Sequence, residues 1–207
     1  MRINETFFSL QGEGKFIGVP TYFVRSVGCN LRCEWCDTTY AFEGGSEVSV
    51  DELMERIGSH EHVCLTGGEP LLHREMYELI DRLIAADKHI TIETNGSVDL
   101  KDLPDDDHIT VSMDIKCPSS GMQDRMCWHN LSLLKPKDQL KFVIADETDY
   151  EYSVGVLERY HPDTEVIFSA VGGMNIRPLA EHVVESGLKV RVLPQLHKII
   201  WGNKTGV

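Results

Sequence analysis

The chain has 207 residues, 20 basic and 33 acidic side chains, a formal net charge of −13, and 42% hydrophobic residues. That length suits one domain, 1–207, with a core that needs no staples, and the acidic balance excludes a general nucleic-acid binder, which needs a basic footprint. No stretch approaches the roughly 18 apolar residues of a membrane span; the N-terminal MRINETFFSLQGEG lacks the basic-then-apolar order of an export signal, so a cytoplasmic protein is expected.

In chain order, residues 20–26 (PTYFVRS) read as a strand. Ser49-Val50-Asp51-Glu52 fits a capping box, with apolar Leu53, Met54 and Ile57 following. A short strand is expected at 62–66 (HVCLT), and then a helix, because Met76, Leu79, Ile80, Leu83 and Ile84 fall on one face. Strands follow at 89–93 (HITIE), 109–113 (ITVSM) and 140–145 (LKFVIA), then a helical stretch around 150–160 and a strand at 165–170 (EVIFSA). The helical spacing returns at Ile176, Leu179, Ala180, Val183 and Val184, with Gly187 as its stop, and 189–193 (KVRVL) closes the series. Strands alternating with helices predict βα units and a mostly parallel α/β sheet of about six units. That is short of an eight-fold barrel, which needs about 250 residues. An incomplete barrel and an open doubly wound sheet both fit, and both put a site at the C-terminal ends of the strands.

Six cysteines stand at 29, 33, 36, 64, 117 and 127. In a reducing compartment, clustered cysteines bind metal or do chemistry rather than form a disulfide framework. Cys29, Cys33 and Cys36 form C-x3-C-x2-C directly after the first predicted strand. Three thiolates at this spacing can hold one face of a four-iron cluster and leave one iron for another ligand. The alternative is a structural zinc site with a distant fourth ligand, although no second knuckle is present. Cys64 reads as core, and Cys117 and Cys127 as free thiols. The nine histidines show no H-x3-H or H-E-x-x-H pattern, and Asp105-Asp106-Asp107 reads as a solvated turn. Three further motifs end predicted strands: Thr66-Gly67-Gly68-Glu69-Pro70, Glu93-Thr94-Asn95-Gly96 and Ser112-Met113-Asp114-Ile115-Lys116. Each alone is an ordinary turn; together with the cysteines they occupy one predicted rim.

C-x3-C-x2-C followed by G-G-E-P resembles the radical S-adenosylmethionine (SAM) superfamily. That resemblance implies a partial TIM-like (β/α)6 barrel and a 4Fe–4S cluster held by Cys29, Cys33 and Cys36. It places Gly67, Gly68 and Glu69 against the methionine end of SAM, and Ser112, Asp114 and Lys116 at its carboxylate or ribose. The stretches Asn4–Gly14, Gly18–Pro20, Phe23–Arg25, Gly28–Leu31 and Cys36–Thr38, with 193–198 (LPQLHK) and 201–204 (WGNK), resemble the 7-carboxy-7-deazaguanine synthase family. The resemblance implies ring contraction of 6-carboxy-5,6,7,8-tetrahydropterin to 7-carboxy-7-deazaguanine with release of ammonia, in 7-deazapurine (queuosine or archaeosine) biosynthesis. It further implies catalytic use of SAM, a Mg2+ ion, a homodimer, an electron donor such as flavodoxin or ferredoxin, and neither nucleic acid nor membrane as partner. The radical is delivered by SAM, so no catalytic side chain is expected. Leu10, Gln11, Gly12, Arg25 and Thr66 are placed on the substrate side, and Thr38 at Mg2+. Several family members carry Ser-Pro-Lys where this chain has Ser112-Met113-Asp114-Ile115-Lys116.

The side chains themselves suit a small anionic bicycle. Gln11 offers an amide edge with donors and acceptors. Arg25 can grip a carboxylate with two parallel hydrogen bonds or serve in a surface ion pair. Thr38 offers an oxygen of the kind Mg2+ prefers. His197 can touch substrate or pack. Two other classes compete: a radical SAM activase that makes a glycyl radical on a partner protein, and an electron-transfer iron–sulfur protein.

Overall fold

A computed structural model describes residues 1–207. An antiparallel ribbon begins the chain, β1 (Arg2–Leu10) with β2 (Pro20–Ser26), and β3 (Ser46–Glu47) pairs with the other edge of β1. From β2 onward every neighbour is parallel: β4 (His62–Gly67), β5 (His89–Thr94), β6 (Ile109–Ile115), β7 (Gln139–Ile144), β8 (Glu165–Ala170) and the short β9 (Arg191–Val192). All nine strands form one sheet in the order β3-β1-β2-β4-β5-β6-β7-β8-β9, curled into a partial barrel. Helices α1 (Val50–Ile57), α2 (Arg74–Ala85), α3 (Glu147–Tyr160) and α4 (Arg177–Ser186) lie in the crossovers, and α5 (Leu196–Trp201) follows β9.

The helix boundaries follow from local chemistry. Ser49 Oγ accepts the Glu52 N–H at the start of α1, which satisfies a backbone donor that has no partner inside the helix. Gly187 ends α4 at φ +67°, and its N–H bonds to the Val183 carbonyl; the left-handed conformation suits glycine there. In α2 the predicted face is the buried one, with Met76, Leu79, Ile80 and Leu83 wholly inaccessible. Burial of each such side chain contributes roughly 1.5–3 kcal/mol.

Parallel strands covered on both faces usually read as continuous apolar runs. Here they alternate, because only one face packs against helices. Val24, Leu65, Ile92, Met113 and Phe142 belong to the core on that side. Their neighbours Arg25, Thr66, Glu93, Asp114 and Lys141 face a cavity inside the barrel.

The expectation of about six helical units needs amendment. The β5–β6 and β6–β7 crossovers carry only 3-10 turns, at Leu100–Asp102, Pro118–Ser120, Gln123–Arg125 and Trp128–Ser132. Pro118 at the start of one turn and Gly121 at φ +68° after it interrupt helix propagation. Strand β1 and helix α5 were not among the expected elements. The loop between β1 and β2 crosses to the far side of the barrel, where Lys15 N–H donates to Gln139 Oε1 at 2.6 Å and Lys15 Nζ reaches the carbonyls of Pro136 and Lys137.

Candidate active site

At the C-terminal ends of the parallel strands lies a cavity of about 500 Å³, within the usual range for small-molecule sites. The loop after β2 brings Cys29, Cys33 and Cys36 to its wall. Cys29 Sγ accepts from the Leu31 N–H at 3.4 Å and from Asn95 Nδ2 at 3.5 Å. Burial pushes the Cys33 and Cys36 thiols up, against the opposing pull of Lys116. No three His, Cys, Asp or Glu side chains converge tightly enough to share one ion. Three thiols carried on one loop are the soft donors that an iron–sulfur cluster takes.

Gly67 and Gly68, at the end of β4, also line the cavity. A Cβ on Gly68 would stand 2.1 Å from the Gly28 carbonyl oxygen and 2.8 Å from Cys29 Cβ. Only glycine lets this strand end lie directly against the cysteine loop. Gly68→Ala should therefore displace the loop and release iron from the reconstituted protein, measured as iron per chain. Retention of a full iron complement would show that the loop can move aside.

Glu69 stands differently from the expectation. Its side chain is fully buried and off the cavity wall, accepting from the Leu71 N–H, the Asn95 N–H and Thr94 Oγ1. Burial pushes its carboxyl up to about 7 despite these donors. It braces the end of β4 to the end of β5 and thereby holds Asn95, which reaches Cys29 and Asn30. Ser112 also lies off the wall, one step deeper on β6 than Asp114. There it accepts from Gln139 Nε2 at 2.6 Å and is buried. Asp114 and Lys116 do line the cavity and pair at 2.7 Å.

Further wall residues come from β1, the loop after it, β2 and β4. Leu10, Gln11, Gly12, Arg25 and Thr66 all line the cavity. Gln11 Nε2 donates to Glu93 Oε1 at 3.2 Å, and Thr66 Oγ1 donates to Glu93 Oε2 at 2.8 Å. Gly12 is packed under His197, whose Nδ1 would lie 2.2 Å from an added Cβ. Arg25 Nε donates to Glu5 Oε1 at 2.8 Å, and its guanidinium carbon lies 5.8 Å from both the Phe7 and the Tyr40 ring centroids. Its two Nη nitrogens make no hydrogen bond within the chain. Thr38 lines the cavity and donates to Asp37 Oδ1 at 2.9 Å; Asp37 in turn pairs with Lys198 at 3.1 Å.

Several wall residues had no role assigned from the sequence: Glu13, Lys141 and Gln195, together with Glu93 of the Glu93-Thr94-Asn95-Gly96 motif and Lys198 of the C-terminal stretch. Lys141 had a detectable signal, a lone charge inside the apolar run L-K-F-V-I. Lys141 Nζ lies 2.5 Å from Glu13 Oε2 and 3.1 Å from Asp114 Oδ1. Burial disfavours every charge here, but the opposite charges outweigh it. They hold Asp114 below the usual carboxylate range and Lys116 and Lys141 above the usual lysine range.

Residues 23–133 match the model of the radical SAM superfamily. The chain is 41% identical to the 7-carboxy-7-deazaguanine synthase of Thermoplasma acidophilum, with all of both chains covered. It is 41% identical to that of Methanospirillum hungatei over 97% of this chain and 85% of that protein. Among solved structures, QueE from Escherichia coli superposes with a TM-score of 0.74 at 24% identity, covering 92% of each chain. That likeness is one of fold.

Proposed function

Since the chain belongs to the 7-carboxy-7-deazaguanine synthase family of the radical SAM superfamily, we propose a division of labour within its cavity for that family's reaction. The reaction is the contraction of 6-carboxy-5,6,7,8-tetrahydropterin to 7-carboxy-7-deazaguanine with loss of ammonia. One observation carries the assignment of roles: the three thiols and the polar set Gln11, Arg25 and Glu93 line a single cavity. Neither a glycyl-radical activase nor an electron carrier accounts for that polar set.

When bound, the 4Fe–4S cluster and SAM supply a 5′-deoxyadenosyl radical that takes a hydrogen atom from the substrate. The chain's residues do the rest. Cys29, Cys33 and Cys36 would hold the cluster through three of its irons, with the fourth open to SAM. The backbone at Gly67 and Gly68 and the ammonium of Lys116 bind the methionine end. Gln11, Thr66 and Glu93 present donors and acceptors to the edge of the pterin ring, and the Glu93 carboxylate suits its N–H groups. The free fork of Arg25 takes the substrate carboxylate. Thr38, with Asp37 beside it, offers the oxygens that Mg2+ prefers. The same reading has the protein working as a homodimer with a flavodoxin- or ferredoxin-type donor.

The reaction is a rearrangement with loss of ammonia and needs no net oxidant, so it would not have to consume SAM. Anaerobically reconstituted protein should turn carboxytetrahydropterin over many times per SAM. A strict one-to-one ratio of product to 5′-deoxyadenosine would refute the recycling, and absence of 7-carboxy-7-deazaguanine would refute the function.

A further inference from the structure

Four charged groups form a continuous chain along the cavity wall: Glu13, Lys141, Asp114 and Lys116. It begins on the loop after β1, which carries Gln11 and Gly12, and ends at Lys116, one residue past β6, whose Nζ lies 5.7 Å from the ring of Trp35 on the cysteine loop. Lys141 is its centre. It stands directly opposite Asp114 in the β6–β7 register and reaches across the barrel to Glu13.

Stability alone does not explain a lysine here. A buried ion pair typically contributes no more than a well-packed apolar pair of similar volume. Val143, the next residue on the same face of β7, shows that the wall accepts an apolar side chain. What an apolar residue cannot do is hold a carboxylate in one orientation. Both oxygens of Glu13 are taken: Oε2 by Lys141 at 2.5 Å and Oε1 by Gln195 Nε2 at 2.6 Å. The Glu13 N–H in turn donates to Gln11 Oε1 at 3.3 Å, so the setting of Glu13 fixes the amide that reaches Glu93. Backbone bonds hold the loop at Gln11, paired with Gly18 and Val19, and at Gly12, whose carbonyl accepts from Leu196, but the hydrogen bonds that set Glu13 run through side chains.

We propose that Lys141 is a positioning residue for the pterin, which anchors Glu13 on the substrate loop to Asp114 on the cofactor strand. Lys141 acts through Glu13 and Gln11 rather than by touching the reacting carbon. The assignment rests on the pterin reading above and adds to it the residue that sets the substrate loop.

The test is a double-mutant cycle on the cluster- and SAM-loaded enzyme. Equilibrium binding of 7-carboxy-7-deazaguanine, which is not consumed, is measured for wild type, Lys141→Met, Glu13→Gln and the double variant. Each single change should weaken binding on the order of 10- to 100-fold, and the double variant should be no more than about threefold worse than the weaker single, because interacting groups are non-additive. Lys141→Arg should recover most of the loss, since it keeps the cation. If Lys141→Met does not melt cooperatively, Lys141→Gln takes its place in the cycle. Losses that multiply in the double variant, or wild-type affinity in Lys141→Met, overturn the positioning role. No binding by the wild type would overturn the pterin reading itself and this assignment with it.

Discussion

Cys33→Ala should abolish iron binding and product formation together, taking the reconstituted protein from about four irons per chain to near none. Cys33 is the central thiol of the C-x3-C-x2-C loop and lies on the cavity wall with Cys29 and Cys36. Cys64 is enclosed in β4, Cys117 hydrogen-bonds with Ser153 in the core, and Cys127 is off the cavity, so no other thiol can substitute for it. Two remaining thiolates leave two irons exposed, and such a site does not retain its metal. Cys127→Ala is the matched control and should keep both the visible cluster absorbance and turnover. A Cys33→Ala protein that still holds iron, or a wild type that holds zinc and no iron, would overturn the ligand assignment.

The strands and the motifs at their ends were legible in the sequence because two periodicities coincide. β2 and β8 fall at the expected residues, and Ser49 and Gly187 cap the helices expected of them. The alternation that marks a strand also tells which residues share a face, as Ser112 and Asp114 do on β6. It does not tell how deep each one lies. Two residues along a strand is a displacement of about 6.6 Å, and that step separates Ser112, bonded to Gln139, from Asp114 on the cavity wall. Glu69 was out of reach for a different reason. It follows the strand end, where no period fixes the side chain's direction, and it turns inward to the Thr94 and Asn95 donors. The ties across the barrel, Lys141 to Glu13 over 128 positions and Gln195 to Glu13 over 182, join residues that no local pattern relates.

Arg25→Lys should keep the cluster and SAM binding but lose on the order of 10²-fold in kcat/KM. The geometry supplies the reason. Glu5 holds the Nε edge at 2.8 Å, Tyr40 Oη donates to the same Glu5 oxygen at 3.2 Å, and the Phe7 and Tyr40 rings flank the guanidinium. Burial works against its charge, but Tyr40, Glu5 and Glu93 outweigh it and raise its pKa further, so the group stays a cation at any working pH. The group is thus oriented through one edge, with its two Nη nitrogens left for a ligand. A planar fork grips both oxygens of a carboxylate and fixes position and direction at once, which a lysine's point charge cannot do. Hydrogen abstraction demands near-contact between the substrate C–H and the radical carbon, so a small displacement costs much rate. The lysine variant should therefore release more 5′-deoxyadenosine per product, the sign of a radical meeting a misplaced substrate. Glu5→Gln tests the same orientation from the other side: it keeps an acceptor for Nε but not the ion pair, and should give a smaller loss in the same direction. Normal turnover with tight coupling in Arg25→Lys would mean that the carboxylate is held elsewhere, and Lys198, on the same wall and paired with Asp37, is then the cation to replace.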